Sequence, residues 1–163
     1  MDSFIKKTER PKRRNSLRLR HFDYSSPRAY FITICVKNGR AVFSDKKLAE
    51  RVLNYLRKSK EKNNYEIYAY CLMPDHLHLL LNPADSNIPI SKFLQTFKSR
   101  TGFWCKKEHG LPLWQRGFYD HIVRKNEDLV KIAQYILDNP IRKGLTEEAE
   151  EYHYSGMWDE IEQ

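Results

Sequence analysis

The alternation of apolar and polar residues divides the chain into short strands and three amphipathic helices. After Pro27, YFITICVK at 30–37 is rich in β-branched and aromatic residues and reads as a strand, closed by Asn38-Gly39. Ser44 or Asp45 then caps a first helix. Its Leu48, Val52, Tyr55 and Leu56 share one side, with Lys and Arg opposite, and Asn63-Asn64 stop it. A second strand, YEIYAYCLM at 65–73, is separated from a third, HLHLLL at 76–81, by Pro74-Asp75 alone. Pro-Asp between two strand-like runs marks a tight reversal and an antiparallel pair. Ile90, Phe93, Leu94, Phe97, Thr101 and Trp104 mark the inner side of a second helix, ended near Gly110-Leu111-Pro112. Phe118 to Arg124 reads as a fourth strand. Asn126 caps a third helix with Leu129, Ile132, Ala133 and Ile136 inward, stopped by Asn139-Pro140.

The order β-α-β-β-α-β followed by α predicts an α+β fold. It is a ferredoxin-like antiparallel sheet with helices packed on one face and the other face open for binding. A chain of 163 residues suits one such domain. Residues 1–26 lack apolar periodicity and read as a basic N-terminal arm, 27–145 as the folded body, and 146–163 as an acidic C-terminal tail.

Charge sharpens this division. The net charge is +8, yet residues 1–20 hold eight Lys/Arg against Asp2 and Glu9, and residues after Leu145 hold seven acids and no Lys or Arg. The body between them is therefore itself basic, which points to a polyanion partner, most simply nucleic acid. A solvated basic face is the plainer alternative. The tail either stays solvated or folds over the basic body and competes with DNA. No apolar run is long enough for a membrane span, and the basic N-terminus is not followed by the apolar segment of a secretory signal. Cys35, Cys71 and Cys105 are odd in number and widely spaced, so they read as reduced thiols of a cytoplasmic protein.

Chemistry concentrates at two places. His76 and His78 lie two apart in the third strand, so both imidazoles leave one face while Leu77, Leu79 and Leu81 leave the other. Two neighbouring imidazoles are half of a metal site, although ordinary strand histidines would look the same. On the third helix Tyr135 and Asn139 share one flank, one turn apart. They can present a hydroxyl and an amide oxygen to one small volume, or serve as a core-edge aromatic and a helix-ending residue. Taken together, a metal held by His76, His78 and Asn139 would polarise a phosphate oxygen, and Tyr135 would attack the phosphorus. The product is a covalent phosphotyrosine that a second DNA end can reverse, which gives strand transfer without ATP. Tyr119, in GFYDHIVR, is a rival nucleophile. In a strand, however, Tyr119 and His121 share a face from which Asp120 points away.

PDHLHLLL at 74–81 resembles the HUH motif, and YILDNP at 135–140 is similar to the nucleophile helix of single-tyrosine transposases of that superfamily. The wider pattern, FDYSSPRAYFITICVKN, YCLMPDHLHLLLNP, LWQRGFYDHIVR and YILDNPIRKGL, resembles the REP-associated tyrosine transposases of bacteria from roughly His21 to Leu145. The resemblance implies His76 and His78 as HUH ligands, Tyr135 as nucleophile and Asn139 as third ligand, where the insertion-sequence branch usually has Gln. It also implies Mg²⁺ or Mn²⁺, a 5′-phosphotyrosine, and single-stranded hairpins of palindromic repeats with a short 5′ guide sequence. The enzyme would act as a monomer or homodimer. Arg13, Arg14, Lys92, Gln95, Lys98, Arg116, Arg124 and Lys131 are the candidate DNA contacts, from their charge and placement on polar sides. The alternatives are a catalytically silent nucleic-acid-binding module of the same fold, and a zinc hydrolase using Asp75 or Asp120.

Overall fold

In strand β1 (Tyr30–Cys35) Tyr30, Ile32 and Ile34 are buried while Phe31, Thr33 and Cys35 are only partly so. This period-two pattern is what a strand with one packed face requires. It belongs to a computed structural model of the chain, which describes residues 28–124 and 127–161. Helix α1 (Lys46–Asn63) follows, capped by the Asp45 carboxylate, which accepts from the Lys47 and Leu48 amides, and closed by Asn64 in the left-handed region. Strands β2 (Glu66–Met73) and β3 (His76–Asn82) form a hairpin in which Met73 faces His76 across Pro74-Asp75. Helix α2 (Ile90–His109) and strand β4 (Tyr119–Ile122) complete the β-α-β-β-α-β unit, and α3 (Leu129–Leu137) comes next.

The sheet is antiparallel in the order β4-β1-β3-β2-β5, whose first four strands have the ferredoxin-like order. Leu77, Leu79 and Leu81 point from β3 into the larger core with Ile32, Ile34, Val52, Leu56, Phe93, Leu94 and Phe97. Burying each leucine contributes about 1.5–3 kcal/mol, so register slippage in β3 would be costly. Trp104 was expected on the inner side of α2. Instead it lies half-buried at the flank, edge-on to Tyr55 and under the Arg51 guanidinium.

Three expectations change. The second face of the sheet is not left open, because α3 lies across it. Ile132, Ala133 and Ile136 pack there on Tyr68, Ala69, Cys71, Met73 and Leu80, forming a second core. β2 and β3 are apolar on both sides, and those side chains need a cover. Asp128 caps α3 through the Val130 and Lys131 amides, while Asn126 lies outside the described residues. The segment after Leu145 is also more than a tail. Strand β5 (Ser155–Gly156) pairs with β2, the Trp158 ring lies tilted against Tyr70 with centroids 4.2 Å apart, and the Asp159 carboxylate accepts from the Ile67 amide at 2.7 Å. It thereby covers the backbone edge of β2. The basic arm, with Arg13 and Arg14, lies outside the described residues.

Candidate functional site

Alternation along β3 sends His76 and His78 to the second face, the side on which α3 packs. Their Nε2 atoms converge to 3.0 Å. The outer nitrogens are each engaged: His76 Nδ1 with the Asp75 carboxylate at 2.6 Å, and His78 Nδ1 with the Thr33 hydroxyl at 2.8 Å. An ionised carboxylate only accepts, so Asp75 keeps the His76 proton on Nδ1 and leaves Nε2 as a lone pair. When Thr33 accepts likewise from His78, both lone pairs face one point.

In this tautomer the two lone pairs are placed to share a cation, and in the other a proton on His78 Nε2 bonds to His76 Nε2. Two imidazole nitrogens bound at right angles to one ion, about 2.1 Å from each, would be about 3.0 Å apart. The spacing is one that two ligands of a shared divalent ion could take, and Asp75 and Thr33 stand where outer partners orient such imidazoles. Burial, His76, and the charges of Arg142 and Lys143 hold the His78 pKa well below the usual histidine range. The imidazole is thus neutral and able to ligate at neutral pH.

Tyr135 reaches the same face. Phe31, on β1, has its ring 5.4 Å from that of His78 and meets the Tyr135 ring edge-on at 6.2 Å. One aromatic side chain therefore touches both candidate groups. Tyr135 is half-buried rather than sealed in the core. The Arg142 guanidinium lies 3.9 Å from the centre of its ring and donates to its carbonyl oxygen at 2.6 Å. Arg142 comes from the single turn α4 (Asn139–Arg142), which begins with Asn139 and Pro140 directly after α3. Among the described residues, Asn139 and Thr101 are the buried polar side chains. The Thr101 hydroxyl is engaged by the Phe97 carbonyl and the Trp114 indole, whereas Asn139 sits in the turn that packs against β2.

The candidate DNA contacts separate into groups. Lys92, Gln95 and Arg116 line one groove between α2 and the loop at 112–118. Lys98 lies there too, but its ammonium is engaged by the Gln115 carbonyl at 2.8 Å and by the Gly117 carbonyl. Arg124 is exposed beyond β4, and Lys131 is exposed on α3, 3.8 Å from Asp128. Tyr119 faces Thr33 across β4 and β1, with its hydroxyl accepting from Gln115, and His121 pairs with Glu127 at 2.7 Å. Sequence reasoning missed Phe31, Thr33 and Arg142 as members of the site. The parity of β1 placed Phe31 and Thr33 on one face, but nothing local said which strand would lie beside it.

Comparison with known proteins addresses the fold and the family of the chain. An uncharacterised protein of Haemophilus influenzae is 28% identical over 165 residues, covering 78% of this chain and 88% of the relative. The REP-associated tyrosine transposase of Escherichia coli K12 is 21% identical over 126 residues, covering 77% of this chain and 74% of that protein. Among solved structures, a REP-associated tyrosine transposase bound to a REP hairpin superposes with a TM-score of 0.69 at 20% identity, covering 87% of this chain and 82% of that one. No described helix is long and apolar enough to cross a membrane. The family described as "Transposase IS200 like" matches residues 25–139, most of the length of the chain, and the protein belongs to that family.

Proposed function

We infer that the protein is a single-stranded DNA endonuclease and strand transferase, which cuts and rejoins hairpin-containing DNA through a 5′-phosphotyrosine on Tyr135. The observation that carries this reading is the 3.0 Å convergence of the His76 and His78 Nε2 atoms, with both outer nitrogens engaged. It lies on the sheet face to which Phe31 joins Tyr135.

His76, His78 and Asn139 would hold a divalent ion, Mn²⁺ or Mg²⁺, whose chemistry there is to draw electron density from a phosphate oxygen. Imidazole suits Mn²⁺ better than Mg²⁺, which prefers all-oxygen ligands. The remaining work falls to the chain. Asp75 and Thr33 fix the imidazoles. Arg142 and Lys143 draw the phosphate towards the site, and Arg142 steadies the Tyr135 ring. The Tyr135 hydroxyl loses its proton as its oxygen bonds to phosphorus, and the 3′-oxygen of the preceding nucleotide leaves with a proton. Reversal by a second 3′-hydroxyl frees Tyr135 and joins the ends.

Incubating the protein with a hairpin oligonucleotide and Mn²⁺ should yield a covalent protein–DNA band on a denaturing gel. Tyr135→Phe should lose the band and His76→Ala should reduce it at least 100-fold. A band that persists in Tyr135→Phe moves the nucleophile elsewhere, with Tyr119 first in line. Binding with no band under any divalent metal would favour a silent binding module.

A further inference from the structure

Helix α3 carries Tyr135 and is held to the sheet by apolar burial, with Ile132, Ala133 and Ile136 packed on Ala69, Cys71, Met73 and Leu80. Such burial is non-directional, so it keeps the helix on the sheet more firmly than it sets the slide of the helix along it. A directional contact stands at each end. Beyond the far end, Arg142 reaches back to the Tyr135 carbonyl, a contact within the helical segment itself. Before the near end, the Glu127 carboxylate accepts from His121 Nε2 at 2.7 Å.

This second contact joins different parts of the fold. His121 stands on the edge strand β4, directly opposite Phe31 of β1. Its side chain therefore leaves the sheet on the face that carries Phe31, Thr33 and the paired histidines. Glu127 directly precedes Asp128, whose carboxylate caps α3. The Glu127 amide donates to the Arg124 carbonyl at 3.0 Å, which fixes the point from which its carboxylate reaches out. The pair thus ties the edge of the sheet to the start of α3. Tyr135 follows on that helix, about 12 Å from Glu127 at the helical rise, with its ring edge-on to Phe31.

An ion pair as exposed as this one adds little to stability. Its geometry has more to act on. The Tyr135 oxygen must line up with a phosphorus, and a misplacement of about 1 Å can cost about 100-fold in rate. We propose that His121 and Glu127 are positioning residues for the nucleophile: their contact sets where α3 begins on the sheet, and so where the Tyr135 hydroxyl stands. Both act through the helix rather than on the DNA. The proposal deepens the strand-transferase reading and rests on it. The competing role is that of a surface pair with no hold on Tyr135.

The test is a double-mutant cycle in the full chain, with His121→Val, Glu127→Ala and the two combined. It is read by the single-turnover rate of the covalent band at saturating hairpin and Mn²⁺. Each single change should slow the band roughly tenfold, and the double variant should be about as slow as the slower single, because both remove one contact. His121→Gln keeps an N–H donor at similar reach and should return the rate to within about threefold of wild type. Hairpin affinity should stay within about twofold in every variant, and Tm within about 4 °C. Single variants as fast as wild type would overturn the proposal. Losses that multiply in the double variant would do the same, as would losses of affinity that match those of rate. A second readout needs no turnover. The nuclear Overhauser contact between the Phe31 and Tyr135 rings should weaken in Glu127→Ala and persist in His121→Gln. An unchanged contact in Glu127→Ala would overturn the proposal by itself, whereas a wild-type protein that forms no band yet shows this weakening would refute only the transferase reading.

Discussion

Thr33→Val isolates the outer partner of His78 from everything else in the site. Valine keeps the β-branched shape that β1 favours and removes only the hydroxyl that meets His78 Nδ1 at 2.8 Å. Without that partner the imidazole loses its orienting contact, and the Nε2 lone pair no longer has a fixed direction towards that of His76. Outer partners of metal-bound histidines are typically worth 10- to 100-fold in metal affinity, or about 1.4–2.7 kcal/mol. The metal-free protein should lose less. One hydrogen bond to a half-buried nitrogen contributes about 1 kcal/mol, which lowers Tm by roughly 2–4 °C in a domain of this size. The assay titrates Mn²⁺ against the yield of covalent adduct, with Thr33→Ser as the control that retains the hydroxyl. The midpoint for Thr33→Val should move 10- to 100-fold to higher Mn²⁺ with a plateau near that of wild type, and Thr33→Ser should stay near wild type. An unmoved midpoint would show that Thr33 does not orient His78, and the two-imidazole reading would lose its outer support.

Three further outcomes follow from the same geometry. In metal-free protein, His78 resists protonation while an unfolded histidine takes up a proton near pH 6.5, so unfolding gains a proton as pH falls below that value. Stability to urea should therefore drop by up to about 1.4 kcal/mol per pH unit between pH 6.5 and 5 through this residue, and His78→Gln should flatten the slope by that amount; an identical slope in the variant rules the effect out. Truncation after Leu145 removes β5, the Trp158 ring contact with Tyr70 and the Tyr152 hydrogen bond to the Leu72 carbonyl. The loss should be at least about 3 kcal/mol and Tm should fall by roughly 6–12 °C, whereas an unchanged melting curve with raised cleavage would restore the idea of an acidic brake. Burial pushes the Cys71 thiol up to about 12, so at pH 8 it should react with a thiol reagent far more slowly than unfolded chain, as mass spectrometry of the labelled peptide would show.

Much of this architecture is written in local pattern. The alternation in YFITIC, the leucines between the histidines and the stripe from Ile90 to Phe97 each state which side is buried, and the sheet obeys them. The paired histidines were legible for the same reason, since spacing by two fixes a common face. What could not be read locally was the partner of each face. Cys71, Met73 and Leu80 made the second side of β2 and β3 apolar, yet only the folded chain shows α3 lying on it. Thr33 reaches His78 across 45 residues of sequence, so no window short enough to reveal periodicity contains both. Arg142 meets Tyr135 from two turns further on, past the Asn139-Pro140 step at which the sequence pattern ends the helix. The acids after Leu145 outweighed Tyr152, Tyr154 and Trp158 in the charge count, though those aromatics are what fasten the segment to β2.

Diffraction from crystals grown with Mn²⁺, recorded at the manganese absorption edge, probes the metal site without relying on turnover. A metal held as proposed gives one anomalous peak within bonding distance of Nε2 of both His76 and His78 and of the Asn139 amide oxygen, with the Tyr135 hydroxyl facing it. A peak bound elsewhere, or one that leaves Asn139 and Tyr135 turned away, would contradict it.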